Sequence, residues 1–233
     1  MKPHLKIDIV SDVVCPWCYI GKRRLEKAVE QLKDDYTFEL RYLPFQLSPD
    51  TPAEGENTKE RLVAKFGSED RYNQIIQQVS GVAAAEGLRF DLENQTVSPN
   101  THTLHRLIGY AQQQGKQLEM VETFFKAYFE ERVDLTQTET VVQLAAGIGL
   151  DAEKVREVLV SNVGAEQLDK QLYQNRLMGV SGVPYYIIND KYAVSGAQPT
   201  ELFLEALPEI ALKAPIQAPV VAGEACDIET GVC

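Results

Sequence analysis

The apolar and polar positions change period several times along the chain. Leu5-Lys6-Ile7-Asp8-Ile9-Val10 is mostly apolar and alternates poorly, as in a strand covered on both faces, and predicts a first strand over Leu5 to Ser11. From Tyr19 to Lys33 the period lengthens, and Leu25, Ala28, Val29 and Leu32 fall on one helical stripe. Tyr36 to Leu43 alternates aromatic or branched residues with polar ones and predicts a second strand. Strand, helix and strand make a right-handed crossover unit with a parallel pair.

Pro44, Pro49 and Pro52, with Asp50, Glu54 and Gly55, break regular structure, and helical periods follow from about Thr58 to Asn162 with almost no strand signal. Helices are expected over Lys59 to Phe66, Ser68 to Glu86, Thr101 to Gln114, Gln117 to Arg132, Glu139 to Gly147 and Ala152 to Ser161. The stretch Arg89 to Asn100 is the main loop between them. Ser68-Glu69-Asp70 and Asp151-Ala152-Glu153 read as helix starts, a polar cap followed by acid in the first turn. A helix over Ala165 to Met178 leads to Gly182-Val183-Pro184, a strand Tyr185 to Ile188, a turn at Asn189-Asp190 and a return strand Tyr192 to Ser195. A last helix reaches about Leu212, with Leu202, Phe203, Ala206 and Leu207 as its stripe. The expected organisation is α/β: residues 1–47 and 165–213 as two halves of one domain, 48–164 as an inserted helical domain, and 214–233 as a tail. No internal repeat is evident.

Composition narrows the function class. With 44% hydrophobic and 24% charged residues among 233, the chain reads as an ordinary soluble globular protein. Nothing approaches the ~18 consecutive apolar residues of a membrane span. The first apolar run is broken by Lys6 and Asp8, so no signal peptide is visible and the cytoplasm is the default location. A net charge of −11 argues against nucleic acid as a partner. Lys22-Arg23-Arg24 is then most simply a solvated helix face.

The candidate chemistry is Cys15-Pro16-Trp17-Cys18, placed where the first strand hands over to the first helix. Unpaired N–H groups and the positive end of the helix dipole favour an anion there, and a thiolate is such an anion. Cys15, at or near the N-cap, is expected to be the more acidic nucleophile, and Cys18, one turn further in, the shielded resolving thiol. Pro16 suits the first helical position. The competing readings are half a zinc site, two buried thiols acting as small hydrophobes, and a structural disulfide. A closed zinc site needs four ligands, and the other two cysteines, Cys226 and Cys233, are distant in sequence, so neither metal nor cofactor is expected. His102 and His105 flank the stripe of Leu104, Leu107 and Ile108 without i, i+4 spacing and with no carboxylate to complete a triad, which predicts a surface or cap role.

The order of these elements resembles the thioredoxin fold, and the helical block between the halves is similar to the DsbA-like thiol–disulfide oxidoreductases. Ser11-Asp12-Val13-Val14-Cys15-Pro16-Trp17-Cys18-Tyr19-Ile20-Gly21, Gly182-Val183-Pro184, Ser195-Gly196-Ala197-Gln198-Pro199 and the cysteine-bearing C-terminus look like the FrnE branch. The resemblance implies a cis Pro184 beside the dicysteine, with the Val183 backbone offered to an extended substrate as a short strand addition. It implies exchange through a mixed disulfide at Cys15, in a cytoplasmic oxidoreductase or disulfide isomerase. Its partners would be protein or small thiols and disulfides, among them glutathione or a thioredoxin-type reductant, with no membrane partner. Trp17 would supply an apolar wall near the sulfur or serve as packing, and Pro16, Trp17 and Val183 are the candidate substrate contacts. Cys226 and Cys233 could form a second redox pair relaying electrons, a local staple turned at Gly231, or two exposed thiols. The rival functions are a glutathione-dependent isomerase similar to the 2-hydroxychromene-2-carboxylate isomerases, which carry a serine where this chain has Cys15, and a non-catalytic client-binding chaperone module.

Overall fold

The structure, a computed structural model, describes residues 2–213 and 226–227. Strand β1 (His4–Ser11) is buried at Leu5, Ile7, Ile9 and Val10, as expected of a mostly apolar strand covered on both faces. Helix α1 (Pro16–Leu32) buries Leu25 and Ala28 from the predicted stripe and returns the chain to β2 (Thr37–Pro44), which runs parallel to β1 with Ile7 opposite Leu40.

A two-residue strand β3 (Glu56–Asn57) opens the helical block, followed by α2 (Thr58–Phe66) and α3 (Glu69–Ala85). The segment expected to be plain loop instead contains a 3-10 turn, Leu92–Asn94, and a strand β4 (Val97–Ser98) that pairs antiparallel with β3. Two residues are too short a run to leave an alternation in the sequence. Helices α4 (His102–Gln113), α5 (Gln117–Phe129), α6 (Thr138–Gly147) and α7 (Ala152–Val160) complete the block, and α8 (Ala165–Leu177) follows it. Ser68 and Asp151 cap α3 and α7, their side chains accepting from Arg71 N and Lys154 N. Helix α5 stops short of Arg132, whose φ of 56° lies in the left-handed region.

The chain then forms β5 (Gly182–Val183), β6 (Tyr185–Ile188), β7 (Tyr192–Ser195), α9 (Thr200–Leu212) and β8 (Cys226–Asp227). The main sheet has the order β2-β1-β6-β7, so β1 is parallel to β2 and antiparallel to β6. Helix α1 packs against α9, and the Thr200 hydroxyl donates to the Arg24 carbonyl at 3.2 Å. Gly21 lets α1 approach the sheet closely: a Cβ there would run into the Tyr186 hydroxyl and come within 3.1 Å of Pro184 Cγ.

The basic run on α1 is not a solvated face. Lys22 is 6% exposed and pairs with Glu26 at 2.5 Å and Glu122 at 2.6 Å, while Arg24 Nε meets Glu86 at 2.6 Å. Arg23 pairs with Glu26 at 2.7 Å and also with Glu122. Glu86 and Glu122 come from the helical block, so these cations join it to α1. Among the described residues no helix is long and apolar enough to cross a membrane.

Candidate active site

Val10 at the end of β1 lies opposite Tyr185 at the start of β6, so the turn that follows one strand and the turn that precedes the other meet at the same end of the sheet. Cys15 is the N-cap of α1, with extended backbone (φ −92°, ψ 112°), and Pro16 fills the first turn, where its missing N–H would have had no partner. The Cys15 N–H donates to Asp12 O and the Cys18 N–H donates to Cys15 O, both at 3.1 Å. Across this turn the Cys15 thiol donates to the Val183 carbonyl at 3.6 Å, and the Val183–Pro184 peptide is cis, as the resemblance implies. The structure therefore brings Cys15, Pro16, Trp17, Cys18, Val183 and Pro184 together.

Both cysteines are free thiols and both are buried. Burial pushes the Cys18 thiol well above its ordinary 9.0, and neighbouring Cys15 pushes it further against weaker opposing hydrogen bonds from the Ser11 side chain and the Asp12 backbone. Cys18 is thus a protonated thiol at neutral pH, one helical turn from Cys15. Trp17 is buried, with its indole nitrogen unpartnered among the described residues. Pro16 lines a mostly apolar groove together with Val14, Leu47 and, from α2 and α3, Leu62, Phe66 and Ile75, with Arg61 also in its wall.

His105 departs from its expected surface or cap role. It is 6% exposed, and its Nε2 lies 2.8 Å from the Phe45 carbonyl and 3.2 Å from Asp12 Oδ1. Both partners are acceptors, so Nε2 carries the hydrogen. The other Asp12 oxygen accepts from Leu47 N at 2.8 Å. The carboxylate that sequence reading did not find for this histidine stands 93 positions earlier, three before Cys15. Its only sequence signal was a charged residue directly after a buried strand. His102 remains partly exposed, its Nε2 2.9 Å from Asp169.

The backbone of Cys226 pairs with Val183, and that of Asp227 with Gly182, as β8 runs antiparallel to β5. Cys233 lies outside the described residues. Among the described residues, no group of three or more His, Cys, Asp or Glu is placed to hold a metal ion.

Comparison with known proteins matches residues 6–208 to the DSBA-like thioredoxin domain family. A Bacillus subtilis (strain 168) protein described as uncharacterized, YwbO, is 27% identical over 214 residues, covering 90% of this chain and 98% of its own. A crystal structure of a probable DsbA oxidoreductase from Streptomyces coelicolor superposes with a TM-score of 0.83 at 31% identity, covering 97% of both chains. A structure of 2-hydroxychromene-2-carboxylate isomerase superposes with a TM-score of 0.66 at 16% identity, covering 88% of this chain and 95% of that one, a likeness of fold alone.

Proposed function

Because the chain belongs to the DSBA-like thioredoxin domain family, we propose that it is a thiol–disulfide oxidoreductase or disulfide isomerase working through Cys15 and Cys18. The observation that carries this reading is the asymmetry of the pair: Cys15 caps a helix and faces the Val183 carbonyl, while Cys18 sits one turn inside, held as a thiol by burial. In the oxidising direction a client thiolate attacks Cys15 of the disulfide, the Cys15–Cys18 bond breaks, and the electron pair leaves on Cys18, which takes a proton. A second client thiol then attacks the client sulfur and releases Cys15, leaving the protein reduced and the client oxidised. Reduction runs these steps backwards.

Val183 supplies main-chain groups at the edge of β5 for an extended client, and the groove beside Pro16 receives an apolar client side chain. Pro16 and Trp17 flank the sulfur on the helix side. Protein thiols and small thiols are the proposed partners, with glutathione or a thioredoxin-type protein as reductant, in the cytoplasm. The motif residues favour the FrnE branch. A glutathione-dependent isomerase of the chromene type would have no use for the resolving Cys18.

The test is exchange with a fluorescent peptide disulfide by wild type and Cys15→Ser. Exchange is expected to fall to background in the variant. Retained exchange would assign the chemistry elsewhere, and a wild-type protein that holds aggregating clients without exchange would favour a chaperone.

A further inference from the structure

The groove that Pro16 lines has one polar stretch in its wall. Thr58 and Arg61, three residues apart on α2 and so on one face of it, both line the groove, as does Tyr128 of α5. Thr58 Oγ1 and Arg61 Nε are buried and have no hydrogen-bond partner among the described residues. Arg61 Nη1 donates to Ser48 Oγ at 2.8 Å, while Glu56 Oε1 stands 3.5 Å from Nε, long for a hydrogen bond, and accepts from the Thr51 hydroxyl at 3.0 Å. The Tyr128 hydroxyl lies beside Thr58 without an aligned bond between them. A guanidinium only donates, and each hydroxyl has a hydrogen to give. Buried donors without partners are costly, so this stretch calls for an acceptor, and a carboxylate suits a guanidinium best. Val14 and Pro16 flank Cys15 in sequence, so the donors and the residues on either side of the reactive sulfur share one groove.

We propose that Thr58, Arg61 and Tyr128 form a carboxylate subsite in the groove, selecting protein clients that carry a glutamate or aspartate within a few residues of the exchanging cysteine. This rests on the thiol-exchange reading above and names the clients it favours. The apolar lining takes the methylene stem of the acidic side chain or an apolar neighbour, and the guanidinium and hydroxyls take the carboxylate. No bond is made or broken at this subsite, so it acts on client binding and leaves the exchange step to the cysteines. A chain of net charge −11 repels acidic peptides through its general field. A preference for an acidic client therefore runs against that field and has to come from a local cation.

The test uses the full-length protein and a set of end-blocked cysteine peptides with an apolar background, in which each of the three positions on either side of the cysteine carries Glu or Gln in turn. At one position the Glu peptide is expected to exchange on the order of tenfold faster than its Gln counterpart in kcat/KM, through a lower KM. Arg61→Met should bring that ratio to about one while leaving the Gln peptides unchanged, and Arg61→Lys should keep part of it. Thr58→Val, which removes an unpartnered hydroxyl at nearly constant shape, should lower the ratio without lowering the melting temperature. If the Gln peptides match or outrun the Glu peptides at every position, or if the preference survives in Arg61→Met, this inference is wrong and the exchange reading stands. If no peptide of the set exchanges with the wild type, both fall.

Discussion

The Cys15 thiol faces the main-chain carbonyl of Val183 at 3.6 Å, across 168 positions of sequence. A serine hydroxyl at position 15 keeps a donor toward the same oxygen, so chemistry and stability separate there. Cys15→Ser is expected to lose exchange while its stability changes by about 1 kcal/mol or less, roughly 2–4 °C in Tm by calorimetry. A loss of stability several times larger would mean that the sulfur is chiefly a packing element.

Cys18 ionises above its ordinary 9.0 in the folded state because burial disfavours the thiolate. Above about pH 9 the unfolded chain has given up a proton that the native chain keeps. The contribution is therefore fully present below pH 9 and is lost as pH rises toward the folded value, at up to about 1.4 kcal/mol per pH unit. Urea midpoints at pH 7, 9 and 10 should decline more steeply in wild type than in Cys18→Ala, whose remaining decline comes from buried tyrosines such as Tyr42 and Tyr186, and iodoacetamide should modify Cys15 before Cys18 throughout.

Glu122 links α5 to α1. Burial pushes its carboxyl up, but the Arg23 hydrogen bond and the Lys22 charge overcome this and bring it down to about 2. Its contribution is present above the ordinary 4.5 and is lost as pH falls through about 2. Glu122→Gln leaves the buried Lys22 with Glu26 alone. Because the Glu122 side chain is 31% exposed, the cost is set below that of a fully buried pair, at about 1–2 kcal/mol, or roughly 2–8 °C in Tm. The difference from wild type should shrink between pH 4.5 and 2.

Gly21 tests the seat of the dicysteine helix. Gly21→Ala forces a methyl group against the buried Tyr186 hydroxyl and Pro184, which is expected to cost about 1–3 kcal/mol and to slow exchange by shifting α1 against the Val183 turn. Thermal melts and exchange rates on one preparation would check it. Unchanged values in both would mean that α1 has room to spare.

What the sequence made legible is what local period and local chemistry encode. The β1 run, the stripe of Leu25 and Ala28, the Ser68 and Asp151 caps and the placing of Cys15 at a helix head all follow from neighbours a few positions apart. What it hid depends on partners brought by tertiary packing. Lys22 and Arg24 read as solvent-facing because Glu122 and Glu86 are remote in sequence, and His105 read as a surface residue because Asp12 and the Phe45 carbonyl reach it only once α4 is packed. The pairing of Cys226 with Val183 left no trace because a two-residue ladder has no period to detect.

The 168-residue separation between Cys15 and Val183 has a consequence for biosynthesis. At about 5–20 residues per second, a ribosome takes about 10–30 s to add the second half of the site after making the first. For that interval the dithiol emerges without β6 beside β1 and without the carbonyl that meets its sulfur. The nascent chain therefore carries both thiols of the proposed exchange pair before the packing that buries them exists, and in that window they are open to the surrounding redox buffer.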